Sequence, residues 1–532
     1  MEFSNRPIHT MTLRAVACAV VCLQAAASTT ALGQHDPHRN AVRHVAAGKL
    51  EAARKELAKA EADDPETMFV EMLALLAAGD VASAAAEADK AVDAGLPVER
   101  LFAGPRAALA PLRQSKQWRK WSALRKSALL HGPMVGSVTD RSARIWLRTA
   151  QPANVSVAVI GAQPPKESPI ARTDAASDYT AVLRIDGLDP QRDYRYQISI
   201  DGKPLRSDHW RFRTFPRAGQ PGEFSVAFGG GAGFVPKWEY MWDTIRAVRP
   251  DALLMLGDNV YIDDPTKQLT NHYCYYRRQS RPEWRRLVAG TSVFAIYDDH
   301  DFGTNDCVPG PEIESPPWKR QVWNMFRQNW VNPSYGGGPE QPGCWFDFYI
   351  GDVHFIMLDG RYYRSRKPAL SMLGPVQKAW LLKTLKQSRG SFKVLASPVP
   401  WTVGVKPGSR DPWDGFPEER EEVFSFIESQ SIDGVFLIAA DRHRTDLRIT
   451  SRDNGYDLYE FESSKLTNRH THNVVKTAGL QWGYNKTCSF ALMKFDTTGD
   501  DPSVRFEART IDGEVVFDHL LRLGRVGGMT ND

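Results

Sequence analysis

The sequence predicts a multidomain chain in which an α/β layered domain follows a small all-β sandwich and an N-terminal helical region. Three observations carry that prediction. Apolar runs alternate with helical stretches beyond Gly222, period-two alternation fills residues 131–216, and Ala-rich helical repeats occupy the stretch before it. A length of 532 residues with 42% hydrophobic and 24% charged composition suits two to four domains and excludes disorder, collagen or coiled coil as whole-chain descriptions. Lys plus Arg number 67 against 63 Asp plus Glu, so the net charge of +4 gives no strong nucleic-acid signal.

Residues 1–33 read as a signal peptide. Arg6 and Arg14 precede an uncharged run from Ala15 to Ala27, and the small residues Ala31-Leu32-Gly33 place the cleavage near Gly33. The run is shorter than the ~20 residues needed to span a bilayer and contains Gln24, so the expectation is an exported chain, periplasmic or extracellular, with no transmembrane domain after cleavage. Residues 34–130 are a helical, tetratricopeptide-like region: Ala47-Gly48 recurs as Ala78-Gly79, an offset of 79 − 48 = 31 residues. Such repeats offer either a groove for a protein partner or a cap packed on its neighbour, and the cap is slightly favoured.

Residues 131–216 read as a fibronectin- or Ig-like β-sandwich. Ser142 to Arg148, Val155 to Val159, Thr180 to Arg184 and Tyr194 to Ile200 alternate in period two between turn-formers. The segment Pro216 to Gly222 is a linker, and residues 222–525 form the α/β domain, with strands expected at Phe224 to Phe228, Ala252 to Leu256, Phe355 to Leu358, Phe392 to Ala396 and Gly434 to Ala439. Cys274, Cys307, Cys344 and Cys488 could form two disulfides in an oxidising compartment, but none makes a CxxC pair, so a cysteine zinc site is not expected.

In α/β sheets ligands gather beyond the carboxyl ends of strands. Three buried runs lead into polar clusters: Leu256 into Gly257-Asp258-Asn259-Val260-Tyr261, Tyr297 into Asp298-Asp299-His300-Asp301, and Ile438 into Ala439-Ala440-Asp441-Arg442-His443. Carboxylate, imidazole and phenol are donors for Fe, Mn, Zn, Mg or Ca. Asp298, Asp299 and Asp301 in one tetrad would repel one another unless His300 or a bound cation compensated.

These motifs, with Gly351-Asp352-Val353-His354-Phe355, Asp359-x-Arg361, and Leu373-Gly374-x-x-Gln377-x-x-Trp380-Leu381, resemble the alkaline phosphatase D (PhoD-like) family of calcineurin-like metallophosphoesterases over residues 132 to about 525. The resemblance implies a metallophosphoesterase α/β sandwich and an exported phosphoesterase acting on phosphomonoesters, phosphodiesters or both. It implies two metal ions, Fe and/or Ca with Mn or Zn as alternatives, in which Asp258 bridges both cations and Tyr261, Asp299, Asp441 and His443 complete the coordination. His300 is then the general acid, Asp301 orients its imidazole, and Arg361 and Arg364 grip the phosphate. Asp263, Asp264, Asn305, His354, His470 and His472 are further residues for the cleft. Two departures stand out: where the family carries Ser-Cys after the first strand, with a thiolate for iron, this chain has Gly229-Gly230-Gly231, and Ala440 replaces the usual Gly before Asp441. The missing thiolate leaves one metal position short of a ligand, and the alternative reading is a non-catalytic envelope binding protein with a degenerate phosphatase domain.

Overall fold

A computed structural model describes residues 36–477 and 479–527, which fall in one compact unit. Residues 1–33, read above as a signal peptide, lie outside the described residues. Two large sheets form the centre. The nine-stranded sheet runs in the order Val515–Arg522, Ser503–Thr510, Ser489–Asp496, Glu223–Gly229, Ala252–Leu256, Ser292–Ile296, Leu129–Gly136, Ala143–Thr149 and Thr180–Ile185. The seven-stranded sheet runs Phe346–Ile350, Val353–Met357, Lys393–Ala396, Val435–Ala439, Leu458–Ser463, Thr445–Thr450 and Leu480–Tyr484. In each, the central strands are parallel, and Ala252–Leu256, Ser292–Ile296 and Val435–Ala439 are buried along their whole length. Strands covered on both faces read as continuous apolar runs rather than alternating ones, which is why they stand out in the sequence.

Aromatic rings fasten the two sheets to each other. Phe495 meets Phe355, Phe392 and Phe436 at centroid distances of 5.8, 6.2 and 6.4 Å, and Phe461 lies 4.6 Å from Phe506. Helices cover the outer faces. Gly374–Gln387 and Pro417–Ser429 bury Leu381, Leu385, Val423 and Phe424 against Ile356, Leu395 and Leu437 of the seven-stranded sheet. Behind the nine-stranded sheet, Trp242 of the helix Met241–Ala247 meets Trp284 of Pro282–Val288 edge-on at 4.9 Å.

The β region between residues 129 and 213 does not stand as a separate sandwich. Its strands Leu129–Gly136, Ala143–Thr149 and Thr180–Ile185 continue the nine-stranded sheet, because Gly136 pairs in parallel with Val293. Only Ala171–Thr173, Ala153–Val159, Asp193–Ile200, Lys203–Leu205 and Arg211–Arg213 form the smaller opposing sheet. Leu129–Gly136 is buried throughout and contains His131-Gly132-Pro133, so neither alternation nor β-propensity marks it as a central strand.

The N-terminal region is helical: Pro37–Ala46 pairs with Leu50–Leu57, and Pro65–Ala77 with Val81–Asp93. Each pair begins at a side-chain cap, Asp36 accepting from the Arg39 amide at 3.0 Å and Asp64 from the Glu66 amide at 2.8 Å, followed by Pro at the first helical position. Pro37–Ala46 docks on the helix Gln268–Ser280 through the buried ion pair of Asp36 with Arg277. The four cysteines considered for disulfides, Cys274, Cys307, Cys344 and Cys488, are all free thiols. No helix among the described residues is long and apolar enough to cross a membrane.

Candidate metal centre

The predicted strand ends converge at one edge of the two sheets. Ala252–Leu256 delivers Asp258, Ser292–Ile296 leads into the short helix Asp299–Phe302, and Val435–Ala439 delivers Asp441 and His443. Asp258, Asp441 and His443 take φ values of 53°, 69° and 46°. That left-handed region costs a residue with a side chain some energy, is best tolerated by Asp, Asn and His, and is where functional sites hold backbone strain. Here it turns three polar side chains back toward the strand ends.

The Tyr261 hydroxyl donates to Asp258 Oδ2 at 3.0 Å and lies 2.9 Å from His443 Nε2, which stands 4.0 Å from the same Asp258 oxygen. The His300 amide donates to Asp299 Oδ1 at 3.0 Å and to Asp258 Oδ1 at 3.4 Å. One donor atom each from Asp258, Asp299 and His300 lies within 4.8 Å of the others, and the same holds for His443, His470 and His472. Burial pushes the Asp258 carboxyl well above its ordinary value; His300 opposes this, and Asp299, Asp298 and Asp301 reinforce it. Burial pushes the His300 imidazole down, but the Asp263, Asp299 and Asp258 carboxylates outweigh it and hold the ring well above its usual value. Asp298 Oδ2 and His443 Nδ1 are buried without a hydrogen-bond partner. Crowded carboxylates and unpartnered buried donor atoms are costly alone and are relieved by a cation, so these oxygen and nitrogen donors fit a metal ion.

Two predicted roles are corrected by the geometry. Asp301 does not orient His300: its oxygens accept the amides of Val260 at 2.8 Å and Asp298 at 3.1 Å, and Asn259 Nδ2 at 3.3 Å, so it ties the Asp258 turn to the start of the short helix. Burial, partly offset by those amides, raises its carboxyl to about 7. The carboxylate that holds His300 Nδ1 is Asp263. Arg361 does not present an open fork to phosphate. It is fully buried, with Nε on Asp298, Nη1 on Asp411 at 2.7 Å and Nη2 on Asp411 at 3.2 Å. Arg364 is equally committed, to the Gly360 carbonyl at 2.7 Å and to Asp411.

Of the remaining candidates, Asp441 stands outside the three-residue donor clusters, 3.4 Å from Arg442 Nη1. Burial pushes its carboxyl up, but Lys406 and Arg442 outweigh that and leave it lowered. His354 lies elsewhere, between Ser388 at 2.8 Å and Asp347 at 3.0 Å, Asn305 is exposed, and Asp264 bonds Thr266 at 3.2 Å. Sequence reasoning missed Asp411, Asp306 and Lys406. Asp411 receives Arg361, Arg364 and Lys406, and Lys406 Nζ reaches Asp306 at 2.8 Å. These residues lie in loops with no apolar strand directly before them, so the strand-end signal does not mark them. A cleft of about 650 Å³ beside Arg141, Arg144 and Arg184 lies at a different place and carries no comparable donor cluster.

Residues 226–487 match the model of the PhoD-like phosphatases. By that match residues 226–487 are a PhoD-like phosphatase domain. A model for a domain of unknown function matches residues 126–214. Alkaline phosphatase D of Bacillus subtilis is 24% identical over 313 residues, 49% of this chain and 52% of that protein. Purple acid phosphatase 23 of Arabidopsis thaliana is 23% identical over 262 residues, 45% of this chain and 51% of that protein. The chain thus spans about half the length of each curated relative. Among solved structures, that of PhoD aligns with a TM-score of 0.61 at 16% identity over 73% of this chain and 88% of its own, and the purple acid phosphatase PPD1 of yellow lupin with 0.56 at 13% identity over 74% and 75%. These likenesses establish a metallophosphoesterase-like α/β sandwich for the PhoD-like domain.

Proposed function

We propose that this PhoD-like chain is an exported, metal-dependent phosphoesterase that hydrolyses phosphomonoesters, phosphodiesters or both. The observation that carries the proposal is the buried grouping of Asp258, Tyr261, Asp299, His300 and His443 at adjoining strand ends, whose crowded carboxylates and unpartnered His443 Nδ1 suit a cation. Two cations held by Asp258, Tyr261, Asp299, Asp441 and His443, drawn from Fe, Ca, Mn or Zn, would supply the Lewis acidity that activates water and neutralises phosphoryl oxygens.

The chain's own residues do the rest. Asp263 accepts from Nδ1 of His300 and so fixes Nε2 as the atom that gives up a proton. The carboxylates around the ring keep it protonated until an alkoxide leaves, and Nε2, 4.0 Å from Asp299 Oδ1, is the atom turned toward the carboxylates. Arg442, whose Nε has no partner and whose Nη1 leans on Asp441, supplies the guanidinium for the phosphate in place of Arg361. Arg361 keeps Asp298 and Asp411 apart from the reaction and locked in position. Retention of His300 with its own carboxylate partner supports an enzyme over a degenerate binding protein.

The test compares hydrolysis of aryl phosphate mono- and diesters with that of a carboxylic ester, for wild type and His300→Ala. Phosphate-ester turnover should fall about 10²–10⁴-fold in the variant. Wild-type rates in the variant remove His300 from the mechanism, and a preference for the carboxylic ester overturns the substrate class.

A further inference from the structure

The glycine run after Glu223–Gly229 has a steric consequence for the metal centre. A Cβ on Gly230 would lie 2.6 Å from Ala440 Cβ, and one on Gly231 would lie 3.0 Å from the Lys465 amide nitrogen and 3.1 Å from His443 Cδ2. A side chain at residue 230 has no room unless Ala440 moves, and one at residue 231 would crowd the Lys465 amide and the His443 ring. The two departures from the family pattern are thus one coupled change: the methyl of Ala440 takes the space that a side chain at residue 230 would need.

What the loop admits instead is another stretch of backbone. The Gly230 amide donates to the Ser463 carbonyl at 3.1 Å, and the amides of Leu466 and Thr467 donate to the carbonyls of Gly230 at 3.1 Å and Gly231 at 3.4 Å. Zipped down in this way, the segment after Leu458–Ser463 passes over the strand ends and carries His470 and His472 to His443. The ring centroids of His470 and His472 lie 5.3 and 5.5 Å from that of His443, and the two Nε2 atoms lie 3.1 Å apart. Two imidazole nitrogens on one tetrahedral ion, each bound at about 2.0–2.1 Å, are about 3.3 Å apart. The segment is held on both sides of the pair, the His470 amide donating to Asn468 Oδ1 at 2.9 Å and Asn485 Nδ2 to the His472 carbonyl at 3.0 Å. His443 is 3% exposed, and its Nδ1 has no hydrogen-bond partner.

We propose that His470 and His472 join His443 in binding a divalent cation of the borderline class, such as zinc, manganese or ferrous iron, so that the loop-borne imidazoles replace the thiolate that the glycine run cannot provide. Nitrogen and oxygen donors without sulfur favour such ions over thiophilic ones. The inference rests on the metal-dependent reading above, and the experiment separates the two.

The full chain is stripped with a chelator, loaded with Co²⁺ alone, freed of excess, and examined by elemental analysis and visible absorption. Asp258→Asn and the double variant His470→Ala/His472→Ala are treated alike, with circular dichroism to verify the fold. Wild type should bind about two equivalents without a sulfur-to-metal charge-transfer band. The double variant should lose about one equivalent and part of the visible absorption, its remaining equivalent serving as an internal control for folding. Two equivalents with a wild-type spectrum in the double variant would overturn the inference and reduce the pair to a His–His hydrogen bond, leaving the phosphoesterase reading intact. No cobalt bound by wild type, with aryl phosphate hydrolysis persisting in the stripped protein, would overturn both.

Discussion

Asp263 holds the His300 ring at Nδ1, whereas Asp301 is spent on the Val260 and Asp298 amides and on Asn259. Replacing Asp263 by Asn keeps the shape but removes the charge at Nδ1, and loss of such a supporting carboxylate typically costs about 10–100-fold in activity. The pH profile should change as well, because the carboxylates that raise the His300 pKa include Asp263 as their largest contributor. Asp263→Asn should therefore move the alkaline limb of kcat against pH to lower pH, whereas Asp301→Asn should lower stability without moving it. Arg361 and Arg442 make a second contrast. Arg361→Ala leaves Asp298 buried without its cation and takes from Asp411 one of its three, a destabilisation of about 3–5 kcal/mol. Arg442→Ala should leave stability near wild type and raise KM about tenfold, the worth of one charge-assisted hydrogen bond. Denaturation curves and steady-state kinetics on the two variants check the assignment, and the reverse pattern would return the phosphate to Arg361. Asp258, Asp299, His300 and His443 were legible because each follows an apolar run. Asp263 follows no run of its own, and its partner is visible only once the turn after Tyr261 folds back on the helix Asp299–Phe302.

At the scale of elements, the helix Pro37–Ala46 reaches the centre from far away in sequence. Arg39 pairs with Asp263 and its Nη1 lies 3.4 Å from the Tyr261 carbonyl, while Asp36 pairs with Arg277. The helical region therefore leans on the same carboxylate that positions His300. Burial pushes Asp263 up, but the His300 and Arg39 cations outweigh it and hold the carboxyl at about 2, below its ordinary value of 3.8. A depressed carboxyl contributes stability that is present above the unfolded value and is lost as pH falls from 3.8 through about 2. The shift corresponds to about 2–3 kcal/mol shared between the two cations. Arg39→Ala should thus be less stable than wild type at pH 7, and urea denaturation should show the gap narrowing toward pH 2.5; a gap independent of pH would detach the helix from the site. The helices themselves were legible from their Ala-Gly spacing. Their docking was not, since an arginine on an Ala-rich helix gives no sign of a partner more than two hundred residues on.

For the molecule as a whole, most of the parallel strands were legible because strands buried on both faces are continuous apolar runs, but Leu458–Ser463, which carries Glu460 and Glu462, escaped that signal. The merging of Leu129–Gly136 with Ser292–Ile296 was not legible either, since His131-Gly132-Pro133 interrupts the apolar pattern and the pairing depends on Gly136 meeting Val293. That junction makes the β region between residues 129 and 213 an extension of the sheet that bears the centre. The central claim is that the centre is a metal site that hydrolyses phosphate esters, and Asp258 is the residue that the Tyr261 hydroxyl, the His443 ring and the His300 amide all reach. The direct measurement is phosphate release from an aryl phosphate by wild type and Asp258→Asn, each before chelation, after chelation, and after readdition of divalent cations. Wild type should lose turnover on chelation and regain it with metal, and Asp258→Asn should stay at least about a hundredfold lower in all three states. Hydrolysis that survives complete metal removal, or that Asp258→Asn retains at the wild-type rate, would contradict the account.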